Sequence, residues 1–185
     1  MLTRSVLLAL SLGMVPAVPL SSSRLPEQLL PVYGGSGGTA FSRSCGAGKV
    51  LTGLRSRGGL LVDAVGILCR PVLADGTLGP ESVVGTLAGG GGGTSGVTSC
   101  DHGRVMFGVT ILHGTYVNRI VVKCKNWDAA GRTTYGPAVL TGATMGSNTG
   151  NGSSESCEAA TQPMRGFRGR ASGLVDAIGF NCNEP

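Results

Sequence analysis

Aromatic side chains are scarce in this chain, at 4% of residues, with Trp127 the only tryptophan. Nucleic-acid surfaces stack bases on several rings within a basic patch, so the scarcity counts against such a partner. The tracts RSRGG (Arg55–Gly59) and RGFRGR (Arg165–Arg170) resemble RNA-binding runs but bring no stacking platform. They read instead as solvated arginines on the outward faces of strands. Charge is also thin: 14% of residues are charged and the formal net charge is +5, too modest to name a partner. Histidine is limited to His102 and His113. Neither sits in a nucleophile or metal-ligand spacing, so no enzyme, metal or cofactor is expected. CGAGKV (Cys45–Val50) has a Gly-Lys pair but lacks the rest of a phosphate loop.

Long apolar runs are missing too, outside the N-terminus. MLTRSVLLALSLGMVPA has one basic residue, an apolar stretch and then small residues, the plan of a secretory signal peptide. Residues 1–17 are read as that peptide, with cleavage after Ala17. The expected mature chain is secreted and extracellular, carries +4 once Arg4 is lost, and has no transmembrane segment. Helix-compatible windows are few because Gly or Pro interrupts them.

Glycine and cysteine are what the chain does have, with 33 and 6 residues. Cys45 and Cys69 lie 24 apart, Cys100 and Cys124 also 24, and Cys157 and Cys182 25. Aligning on the second cysteine of each pair stacks LLVDAVGILC (Leu60–Cys69), TYVNRIVVKC (Thr115–Cys124) and GLVDAIGFNC (Gly173–Cys182). Gly53, Gly108 and Gly166 share one column; Val62, Val117 and Val175 another; Asp63, Asn118 and Asp176 the next. A glycine-rich run precedes each first cysteine: Gly34–Gly38, Gly89–Gly93, and the degenerate Gly146–Gly150. Three repeats result, at about 33–78, 88–133 and 146–185, within a domain of residues 33–185 that follows an N-terminal segment, 18–32. The last repeat is truncated, so the segment before Cys45 is expected to complete it and close a threefold object.

Each repeat reads as β. Val65 and Ile67 alternate with Ala64 and Gly66, and Ile178 and Phe180 with Ala177 and Gly179, the period of a half-buried strand. The glycine columns are expected at tight hairpins that need positive φ. Trp127 is expected in the core. One disulfide per repeat is the most economical pairing, 45–69, 100–124 and 157–182, each worth roughly 3 kcal/mol in the chain-entropy model. Zinc fits poorly, because no cysteine pair is closer than 24 residues.

YGGSGGTAF (Tyr33–Phe41) and GLVDAIGF (Gly173–Phe180) are similar to the two hallmark segments of jacalin-like lectins. The resemblance runs from about Tyr33 to the C-terminus; vitelline membrane outer layer protein is a looser likeness. It implies an all-β fold, a β-prism of three Greek-key antiparallel sheets with pseudo-threefold symmetry. The cysteine pairs are not typical of the plant lectins. The resemblance further implies a sugar held between a glycine-rich loop and a GxxxD loop, whose Asp accepts hydrogen bonds from hydroxyls. The first candidate site joins Gly89 and Gly90 to Gly59, Leu60, Leu61 and Asp63. The second joins Gly34 and Gly35 to Ser172, Gly173, Leu174 and Asp176, with Ser172 in place of the motif's first glycine. The third, ranked last, joins Gly146 to Gly114, Tyr116 and Asn118, where Asn replaces Asp.

The function this implies is that of a secreted lectin binding a carbohydrate or glycoconjugate, with homo-oligomers a route to avidity. Mannose-type and galactose-type recognition both remain open. The alternative is a structural coat or matrix protein of the same fold without a sugar site, with Asp63, Asn118 and Asp176 serving only as turn residues. A recognition module of a toxin or host-defence factor is a third reading. Asn151-Gly152-Ser153 is a glycosylation sequon for a eukaryotic source.

Overall fold

A computed structural model describes residues 27–157 and 162–182. The expected signal peptide and residues 18–26 lie outside the described residues. Every regular element among the described residues is a strand, thirteen in all. β1 (Gln28–Leu29), β2 (Tyr33–Gly34) and β3 (Thr39–Ser44) pair with β12 (Met164–Ala171) and β13 (Val175–Cys182) as sheet I. Sheet II has the order β6 (Ser82–Gly89), β5 (Val62–Pro71), β4 (Lys49–Gly58), β7 (Thr94–Ser99). Sheet III repeats that order with β10 (Thr133–Ala143), β9 (Val117–Asp128), β8 (Arg104–His113) and β11 (Asn151–Ser156). In sheets II and III three successive strands pair in turn and a fourth returns beside the first, the Greek-key arrangement. All pairings are antiparallel. Sheet I is completed by the N-terminal strands, as the truncated last repeat requires. The fold is the expected β-prism.

The aligned columns meet at the prism axis. Val62, Val117 and Val175 are fully buried, as are Leu51, Met106 and Met164, and Leu54, Val109 and Phe167. The rings of Phe167 and Phe180 meet edge to face at 5.7 Å between centroids, and Phe41 packs on Phe167 the same way at 5.9 Å. Sheet I thus supplies the bulk where sheets II and III bring aliphatic side chains, so the three inner faces interdigitate.

The disulfides pair as expected, 45–69, 100–124 and 157–182. Their placement adds something. Cys45 follows β3 in sheet I while Cys69 lies on β5 in sheet II; Cys100 follows β7 in sheet II while Cys124 lies on β9 in sheet III; Cys157 follows β11 in sheet III while Cys182 ends β13 in sheet I. Each bridge therefore stays within one sequence repeat yet joins two neighbouring sheets, and the three together encircle the axis.

Three expectations are corrected. Gly53, Gly108 and Gly166 are not at hairpins and lack positive φ. They sit mid-strand, each beside a register shift. A Cβ there would come within 2.6, 2.8 and 2.3 Å of the carbonyl oxygens of Thr98, Glu155 and Arg43 on the edge strand. Close strand approach, not turn geometry, explains that column. Nor are the outward faces of the central strands exposed. Ala64, Gly66, Ala177, Gly179 and Asn181 are all buried. Leu87 lies over Gly66, and Pro31 and Val32 lie over Gly179, while Arg168 donates to Asn181 Oδ1 and Leu30 O, both at 2.8 Å. Finally, Trp127 is half-buried at the periphery, where its Nε1 donates to Gly76 O at 2.8 Å.

Candidate functional site

The hairpin tips β4–β5, β8–β9 and β12–β13 carry the three GxxxD-type segments. Their shape is set by one short bond each: Gly59 N to Leu61 O at 3.1 Å, Gly114 N to Tyr116 O at 2.9 Å, and Ser172 N to Leu174 O at 2.9 Å. Neither Gly59 nor Gly114 has positive φ, and a Cβ on either would meet nothing. Ser172 can therefore replace glycine at no steric cost. Leu60 is 80% exposed at its tip, whereas Leu61, Leu174 and Tyr116 are half-buried.

The glycine loops connect β2–β3, β6–β7 and β10–β11, and each pairs with the hairpin tip that the family resemblance implies. Gly34, Gly89 and Gly146 have φ of 126°, 121° and 141°. A Cβ on them would fall 2.1, 2.1 and 1.9 Å from the carbonyl oxygens of Asp176, Asp63 and Asn118. At the other end of each loop Gly38, Gly93 and Gly150 again have positive φ. The degenerate third loop keeps glycine at those two ends and loses it at Ser147, Asn148 and Thr149 between them. Gly35 and Gly90 donate N–H to Asp176 O and Asp63 O, each at 2.9 Å.

Behind this backbone lie the carboxylates. Asp63 is half-buried, with its two oxygens 2.6 Å from the Cβ positions of Gly92 and Gly93. Asp176 is only 5% exposed, its oxygens 2.4 Å from the corresponding positions of Gly37 and Gly38. Its Oδ2 is fully enclosed and accepts no hydrogen bond. A buried carboxylate oxygen without a donor is costly. The third site differs: Asn118 Nδ2 donates to both Thr149 O and Thr149 Oγ1 at 2.9 Å. Its amide nitrogen is spent on the facing glycine loop.

The structure brings together every residue set expected from the sequence, and places the three sets against one another. A Cβ on Gly35 would lie 2.3 Å from Thr115 O, and one on Gly90 2.3 Å from Gly173 O. Ser147 N donates to Leu60 O at 3.0 Å. The three sites thus form a ring at one end of the prism.

Two groups of residues escaped the sequence reading. Arg57 Nε and Nη2 donate to Gly92 O and Gly93 O at 2.8 and 2.9 Å, and Nη1 to Ser95 Oγ at 3.0 Å. Arg170 Nε and Nη2 donate to Gly37 O and Gly38 O, both at 2.7 Å. These arginines lie on outer faces as expected, but they are engaged with the loops rather than merely solvated. The signal was available, since both fall four residues after the column glycine, at Gly53 and Gly166. The second group joins sheets I and III beside the sites. Tyr33 donates its hydroxyl to Glu155 Oε1 and stacks on His113 at 5.1 Å between centroids, while His113 Nε2 meets Ser153 Oγ at 3.0 Å.

The hydrogen bond to Glu155, then burial and the negative charge of Glu155, push the Tyr33 phenol above its ordinary value. A phenol raised on folding stabilises the native state below the unfolded pKa and loses that contribution as pH rises through the folded one. The melting temperature of the wild type is expected to fall more steeply than that of Tyr33→Phe above about pH 10. Parallel curves from thermal melts across that range would exclude the coupling.

Among the described residues no group of three His, Cys, Asp or Glu is placed to hold a metal ion.

No family model and no curated protein matches the sequence. Solved structures do match. A Malaysian banana lectin superposes with a TM-score of 0.59 at 20% identity, over 86% of this chain and 100% of that one. A mannose-binding jacalin-related lectin from Ananas comosus gives 0.59 at 24%, over 86% and 99%. A mannose-specific jacalin-related lectin from Morus nigra, solved with mannose, gives 0.54 at 18%, over 91% and 100%. This chain has the β-prism fold of jacalin-related lectins.

Proposed function

We propose that this protein is a secreted lectin that binds carbohydrate at two loop sites, those of Asp63 and Asp176, without catalysing a reaction. The observation that carries the reading is the seating of Asp63 and Asp176, each where a glycine loop closes on a hairpin tip, with its carboxylate oxygens 2.4–2.6 Å from the Cβ positions of two loop glycines. A sugar hydroxyl is a neutral donor of the right size, and the glycine backbone lets a ring approach closely. The likeness in fold to mannose-binding proteins supports the same reading. The six disulfide-bonded cysteines support export to an oxidising compartment. The third site is ranked last, because Asn118 offers one carbonyl oxygen in place of a carboxylate and its Nδ2 is held by Thr149.

The test is a glycan array with the oxidised protein beside Asp63→Ala and Asp176→Ala. Each substitution is expected to weaken binding about tenfold or more, the worth of a hydrogen bond to a charged acceptor, and the double variant to abolish it. A wild type that retains no glycan at high density would turn the choice to the structural-coat reading, with Asp63 and Asp176 as turn residues.

A further inference from the structure

We infer that Arg57 and Arg170 are positioning residues that set the glycine loops of the two acidic sites for ligand. The inference rests on the carbohydrate reading for its function but not for its geometry. Each guanidinium spans two successive loop carbonyls, Gly92 and Gly93 or Gly37 and Gly38, at 2.7–2.9 Å. In a trans peptide the C=O of one residue and the N–H of the next point in opposite directions. With Gly92 O and Gly37 O held by the arginines, the N–H groups of Gly93 and Gly38 turn away from the guanidinium. Both residues lie against the Asp63 and Asp176 carboxylates. The clamp thus presents backbone donors and a carboxylate acceptor side by side, the pairing a sugar's adjacent hydroxyls require.

The loops need such a clamp. Gly-rich segments lose the most conformational entropy on ordering, and a loop ordered beforehand spares the ligand that cost. The third repeat supplies an internal comparison. Leu112 occupies the column of Arg57 and Arg170 and has no such donors. That loop is held instead by Asn118 Nδ2 to Thr149 and by Arg119 Nη1 to Asn148 Oδ1 at 2.7 Å. The arginine clamps thus do for the two acidic sites, whose carboxylates have no donor to offer a loop carbonyl, what Asn118 Nδ2 and Arg119 do for the third.

The experiment compares wild type, Arg57→Ala, Arg57→Lys and a control, Arg132→Ala, whose guanidinium bonds Ala74 O away from the sites. Amide hydrogen exchange over residues 89–95 and glycan-array binding in an Asp176→Ala background, which isolates the Asp63 site, are both read. Arg57→Ala is expected to speed exchange and weaken binding about tenfold each, the scale of lost charge-assisted bonds. Its far-UV spectrum and disulfides should be unchanged, and millimolar guanidinium should restore binding in part. Arg57→Lys, which cannot span two carbonyls, should fall between, and it stands in if the alanine variant fails to fold. Unchanged exchange would overturn the clamp. So would faster exchange with unchanged binding. Faster exchange in a protein whose wild type binds no glycan would uphold the clamp and sink the carbohydrate reading instead.

Discussion

Full reduction of the three disulfides is expected to unfold this protein at room temperature. Each bridge closes a loop of 24 or 25 residues, worth about 3 kcal/mol by constraint of the unfolded chain. The loops do not overlap in sequence, so their contributions add, to roughly 9 kcal/mol. A domain of this size has a total stability of about 5–15 kcal/mol. Because each bridge also joins two sheets around the axis, its loss frees neighbouring strand ends rather than one loop. Denaturant titrations with and without reductant, followed by far-UV circular dichroism, make the check. A single opened pair, Cys100→Ser with Cys124→Ser, should lose about 3 kcal/mol. A midpoint that barely moves on full reduction would mean that core packing alone holds the prism.

Truncating Phe167 is the second large effect. Its ring is fully buried and touches both Phe41 and Phe180 edge to face. The equivalent positions in the other sheets hold the smaller Leu54 and Val109, so the ring has no aromatic counterpart across the axis. The strands around it are pinned by cross-sheet bridges, which limits collapse. Phe167→Ala is expected to destabilise by about 3–5 kcal/mol, while Phe167→Leu, which restores the side chain of the Leu54 column, should lose much less. Urea unfolding of the oxidised proteins measures both. A loss under about 1 kcal/mol for the alanine variant would show that the axis can repack.

Much of this architecture is legible because it repeats. The columns of Val62, Ile67 and Cys69 can be read three times over, so a core position is distinguished from a chance apolar residue. The pairing of each glycine loop with its hairpin tip was legible only through the family resemblance. What could not be read depends on strands that meet from far apart. Gly53 is glycine because Thr98 lies beside it, and Gly166 because Arg43 does; nothing local signals that approach. Tyr33 and Glu155 stand 122 residues apart and share no column. The outward alanines and glycines look like exposed positions until Leu87 and Pro31 are seen lying over them. Arg57 and Arg170 were visible as charges, but their partners are carbonyls, which every residue has.

The completion of sheet I by the N-terminal strands has a consequence for how the molecule comes into being. β3, at residues 39–44, pairs with β12, at residues 164–171. As the chain emerges from synthesis, sheet II has all its strands by residue 99 and sheet III by residue 156, while sheet I is complete only at residue 182. The earliest strands must wait, unpaired, for the latest ones, and their open edges are exposed to other chains meanwhile. So many distant pairings also place the protein among slow folders. The bond between Cys157 and Cys182 joins the last sheet to the first, so the ring of bridges closes only at the end of the journey.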